Sequence, residues 1–177
     1  MDINERLEYA AELFCDEKYD ESNHAFQRLL DEATDQDVSC IINDSDRKMG
    51  AKKFVAQVLF YAGDYQRAYA ISEQISDYYE NTEYNVLDLL MYNYVYANAT
   101  AALGMFDKAE KSVYNMMAIS RQCTFAAASF LAYSANAFLA MKQGNTSEFE
   151  RLRSLAMGYA AVGMDMREFE VVWLKNL

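Results

Sequence analysis

YAGDYQRAYAISEQI, residues 61–75, places Gly63-Asp64-Tyr65 in the middle of a run otherwise made of helix-forming residues. Glycine costs a helix interior about 1 kcal/mol relative to alanine, so the tripeptide marks a turn between two helices. Two related phrases occur elsewhere, DEKYDESNHAF (16–26) and LGMFDKAEKSV (103–113). Aligned on Tyr19, Tyr65 and Phe106, each has a small residue three positions later (Ser22, Ala68, Ala109). A residue able to face a core follows at the seventh position (Phe26, Ser72, Val113). The aromatics lie 46 and 41 residues apart, and Gly144 follows Gly104 by 40. Gly144 opens a fourth, divergent turn, QGNTSEFERL, in which Ser147 and Glu150 have the spacing of a capping box.

The pattern predicts four helix-turn-helix units. Glycine lets the chain leave one helix and enter the next within two or three residues. The aromatic fills the base of the hairpin, and the small residue sits where the two helices cross most closely. The units are expected at about 3–34, 47–79, 83–120 and 123–161. Their helices run at about 3–16, 19–34, 47–62, 65–79, 83–103, 106–120, 123–142 and 147–161, and a last helix at about 165–176 caps the final unit. The whole chain, 1–177, is expected to form one all-α domain.

Composition agrees with that reading. Apolar residues make up 53% of the chain, too many for disorder, and proline is absent. No window keeps strand-like alternation for more than a few residues. The net charge of −11 argues against nucleic acid and anionic membrane surfaces, and favours a basic protein partner. The acidic N-terminus MDINERLEYA does not read as a signal peptide, and Cys15, Cys40 and Cys123 read as free thiols, so the expected location is the cytoplasm. Residues 123–141 carry no charge, but their many alanines and their Ser, Thr and Asn residues make them a buried layer of a stack rather than a membrane span.

Ala10, Tyr19 and Ser22 in the first unit, Ala56, Gly63, Asp64, Tyr65 and Ala68 in the second, and Ala97, Gly104, Phe106 and Ala109 in the third together resemble the tetratricopeptide repeat (TPR) family. The period departs from the usual 34 residues, and the closing proline is missing. A HEAT-like or irregular α-solenoid therefore stays open as the other reading. The resemblance implies a TPR-like α-solenoid whose first helices line a concave groove. Carried over position by position, the lining is Leu7, Ala11 and Phe14; Lys53, Gln57 and Phe60; Met91, Tyr94 and Asn98; and Ser134, Phe138 and Met141. Apart from Lys53 and Asn98 this lining lacks the basic clamp that some TPR domains use for C-terminal carboxylates.

No catalytic, cofactor or metal pattern accompanies the repeat. His24 is the single histidine, and the aspartates at 35, 37, 44 and 46 lack the spacing of a calcium loop. Phosphate loops and nucleophile elbows are absent as motifs. The expectation is a non-enzymatic adaptor or chaperone holding an apolar or amphipathic segment of another protein, with no cofactor and with a homodimer compatible with the sequence. The first unit is similar to small acidic TPR chaperones of type III secretion. A stoichiometric inhibitor or immunity protein masking a basic partner, and a structural subunit of a larger assembly, are the alternatives.

Overall fold

The turns after the first helix of each hairpin are built alike. In the computed structural model, which describes residues 3–32, 45–81, 86–162 and 168–177, Gly63, Gly104 and Gly144 all take left-handed backbone, with φ of 84°, 74° and 77°. At the first turn Glu17 does the same with φ 62°. Each turn closes with the same pair of bonds. The Gly63 N–H donates to Phe60 O (3.0 Å) and the Asp64 N–H to Leu59 O (2.8 Å). The same bonds recur from Glu17 and Lys18 to Phe14 and Leu13, from Gly104 and Met105 to Ala101 and Thr100, and from Gly144 and Asn145 to Met141 and Ala140. They satisfy carbonyls that a helix end leaves without partners.

Ten helices occur among the described residues, and no strand, so the fold is all-α. They are α1 (Ile3–Cys15), α2 (Tyr19–Glu32), α3 (Ser45–Tyr61), α4 (Tyr65–Gln74), α5 (Ser76–Asn81), α6 (Val86–Ala102), α7 (Phe106–Ser120), α8 (Ala126–Lys142), α9 (Thr146–Ala161) and α10 (Glu168–Lys175). The chain divides into two compact units, Met1–Asn81 and Thr82–Leu177. In the first, α1 packs on α2, α2 on α3, and α3 on α4. In the second, α6 packs on α7 and α8, α7 on α8, and α8 on α9.

The close crossings fall where the small residues are. Ala10, Ala56, Ala97 and Ala137 on the first helices are buried, as are Ser22, Ala68 and Ala109 on the second. The Ser22 hydroxyl donates to Ala10 O at 2.7 Å, so the first crossing also carries a hydrogen bond. The fourth hairpin departs from the rule, because Phe149 takes the small-residue position and is buried there.

Three boundaries differ from the sequence reading. The second helix of the second hairpin breaks at Ile75, whose backbone (φ −106°, ψ 4°) ends α4 before α5 begins. Ile75 is buried and the Ser76 hydroxyl donates to Glu73 O, so packing and a side-chain bond hold the break. Helix α8 starts at Ala126, because Phe125 is extended (φ −97°, ψ 135°). The cap of α9 is Asn145, whose side chain accepts from the Glu148 N–H at 3.2 Å, so Ser147 and Glu150 are not its capping pair. The left-handed Gly144 fixes the start of α9 one residue later, ahead of Ser147. Asp64 caps α4 in the corresponding way, accepting from the Arg67 N–H. A side-chain hydrogen bond from Arg67, opposed by partial desolvation, holds the Asp64 carboxyl below its ordinary range.

Among the described residues no helix is long and apolar enough to cross a membrane. Most of the acidic link at 35–46 lies outside the described residues.

Candidate interaction face

Helices α6 and α8 are the second unit's first-of-pair helices. They are hydrophobic nearly all round, so they demand cover on more sides than the partner helices α7 and α9 can give. The offset between their hairpins, 40 residues by Gly104 and Gly144, sets Tyr94 level with Ser134 and Asn98 level with Phe138. Tyr94 and Asn98 are one turn apart, as are Ser134 and Phe138, so each pair shares a stripe of its helix.

Those stripes are covered by the chain's own C-terminal helix. The Trp173 ring of α10 lies 6.3 Å from the Tyr94 ring at 77°, an edge-to-face contact, and 5.3 Å from Phe138 at 50°. Such aromatic contacts contribute about 0.5–1.5 kcal/mol each beyond the area they bury. Helix α10 also buries Glu170, one turn before Trp173, and Leu174, the residue after it. Helix α10 therefore does more than cap the last hairpin, since it reaches back to α6.

Helices α6 and α8 also bury polar side chains. Asn98 and Ser134 are both 0% exposed. Within the described residues neither amide atom of Asn98 nor the Ser134 hydroxyl has a hydrogen-bond partner.

Met91, Tyr94 and Asn98 are buried on α6 and Ser134 and Phe138 on α8, Trp173 joins Tyr94 to Phe138, and Met141 is half-buried at the end of α8. They do not form an open lining, because α10 occupies it, and Tyr94 and Phe138 belong to the core. In the first unit Lys53, Gln57 and Phe60 are buried on α3. The Lys53 ammonium lies 5.6 Å from the Phe54 ring centre and 5.9 Å from that of Tyr79, so it is held by rings rather than offered to solvent as a clamp. Phe14 is committed to packing, with its ring 5.5 Å from Tyr19 and 6.0 Å from Tyr61. The side chains of Leu7 and Ala11 lie outside the described residues. Nothing in the repeat pattern points to Trp173 as part of this face. The signal available was α10's own spacing, Glu170, Trp173 and Leu174, with an aromatic and a leucine side by side.

A separate opening of about 450 Å³ lies between the ends of α7, α8 and α9, with Arg121, Cys123, Phe125 and Tyr159 in its wall. The Tyr133 and Tyr159 rings stack there at 5.7 Å. The Ser120 hydroxyl in that wall donates to Met117 O, and nothing in the wall pairs a nucleophile with a base. His24 is exposed on α2, with Nδ1 2.7 Å from Asp20 O one turn back. Among the described residues no three His, Cys, Asp or Glu side chains converge as a metal set.

Compared with protein-family models, with curated proteins and with solved structures, the chain matches none of them.

Proposed function

We propose that this chain is a non-enzymatic protein-binding module, a TPR-like array of helical hairpins that holds an apolar or amphipathic segment of another protein, as an adaptor or a chaperone does. One observation carries the reading. The α6–α8 face already accepts a short amphipathic helix, seated through Trp173 on Tyr94 and Phe138. The recurring left-handed turns and small-residue crossings support the TPR-like part of the reading. The face mixes aromatic rings with amide and hydroxyl groups, which suits peptide recognition better than small-molecule chemistry.

The net charge of −11 favours a second reading, in which an acidic surface masks a basic enzyme. Capture of the partner from the native cell, followed by calorimetry on the purified pair, separates the two. Under the groove reading, binding shows a negative heat-capacity change and keeps its affinity as salt rises. Affinity that collapses between low and high salt would assign the work to the acidic surface.

A further inference from the structure

The opening at the ends of α7, α8 and α9 is walled by rings and one cation, and shares no residue with the α6–α8 face. We propose that it binds a flat aromatic carboxylic acid, with the ring against Tyr159 and the carboxylate paired with Arg121. Its volume of about 450 Å³ falls within the roughly 300–1,000 Å³ usual for small-molecule sites. Two helix stripes and a short link supply the wall. Phe125, Ser129 and Tyr133 follow one another by single turns along the start of α8, as do Tyr159 and Val162 at the end of α9. Arg121 caps the end of α7, and the link after it is tied back to that helix. There the Gln122 N–H donates to Ile119 O (3.0 Å) and the Cys123 N–H to Ser120 O (3.2 Å).

The charge in the wall sets the charge of the ligand. The chain has 27 acidic residues against 16 basic ones, yet the described wall holds no Asp or Glu, and Arg121 is its one charged side chain. Among the described residues that guanidinium makes no ion pair and no side-chain hydrogen bond. Its planar fork of N–H donors matches the two oxygens of a carboxylate, and one guanidinium balances one carboxylate charge. The rings set the shape. Tyr133 and Tyr159 lie 5.7 Å apart and within 10° of parallel, so one flat aromatic surface is already built. Tyr159 and Phe125 stay 36% and 41% exposed and Val162 75%, apolar area that a bound ring would take out of water. A flat ring extends the tyrosine stack, which an aliphatic chain cannot do.

Two matched probes test this on the full-length protein, 2-naphthoate and the neutral 2-naphthamide, each followed by its own fluorescence in equilibrium dialysis. Naphthoate should bind with a Kd of about 1 mM or lower. At equal concentration naphthamide should be bound to about a tenth of that extent or less. Arg121→Gln should bring naphthoate down to the level of naphthamide, and Tyr159→Ala should weaken both probes by a similar factor. Both side chains are exposed, and helical circular dichroism checks that each variant keeps its fold. No naphthoate bound at millimolar concentration, or equal binding of the two probes, would overturn the proposal. Naphthoate binding that survives both substitutions would place the ligand elsewhere and overturn it too. A captured protein partner that is lost with Arg121→Gln, while naphthoate does not bind, would make this wall a protein contact instead. A partner that binds through the α6–α8 face is untouched by Arg121→Gln, so either reading can fail while the other stands.

Discussion

The inner and outer helices of the second unit are of similar length and differ in how they are buried. Helices α6 and α8 each bury eleven residues, spread around the whole helix, whereas α7 buries five and α9 three along single stripes. Outer helices can fold onto one neighbour and leave the rest to water. Inner helices need cover on further faces, and at Tyr94 and Phe138 that cover is α10. The contrast explains why residues whose alignment places them in a groove turn out to be core. An apolar face without a partner is covered by whatever suitable segment the chain itself carries.

The largest test of this contrast is truncation of a ring on each side. Phe138→Ala on α8 should lower unfolding free energy by about 3–5 kcal/mol in urea titrations, from lost transfer energy and the cavity left behind. Tyr114→Ala on α7, where the side chain is 74% exposed, should stay within about 0.5 kcal/mol of the parent. Equal losses would erase the distinction between inner and outer helices. Next in size is overpacking. Ala97→Trp, at a crossing with no free space, should cost about 1–3 kcal/mol or more, and Lys111→Trp on the exposed side of α7 should cost little. A tolerant Ala97 would mean that the hairpins do not cross where the small residues place them.

The smallest effect concerns the turns. Glu17 holds a left-handed conformation that glycine takes without steric cost, so Glu17→Gly should stabilise the first hairpin by about 0.5–1 kcal/mol. Gly63→Ala should lose about the same amount at the second, where a Cβ meets no atom within 4 Å and only the backbone conformation opposes it. Thermal melts of the two variants should move in opposite directions.

The positions of the turns were legible in the sequence because a left-handed residue narrows the choice of side chain so strongly. Gly63, Gly104 and Gly144 therefore stand out, and the phrase alignment finds the equivalent place at Glu17. Alanine at the crossings was legible for a similar reason, since only small side chains fit there. The cap of α9 was misread because two patterns overlap: Asn145 and Glu148 have the same spacing as Ser147 and Glu150. Only the turn geometry at Gly144 chooses between them. The break at Ile75 has no local signature, since what holds it is burial of the isoleucine. The seat of α10 was the least legible feature. Its eight residues show an amphipathic stripe, but which apolar surface that stripe meets depends on helices far away in the chain.

That separation bears on how the protein is made. The hairpins of the second unit close short loops and pack on the hairpins next to them in sequence, the kind of contact that forms early and fast. The contact of Trp173 with Tyr94 closes a loop spanning nearly the whole unit, and α10 is its last helix to leave the ribosome. During synthesis there is consequently an interval in which α6 and α8 are paired with α7 and α9 while Tyr94 and Phe138 still await their cover. In that interval the nascent chain presents a bare aromatic seat that α10 covers only later.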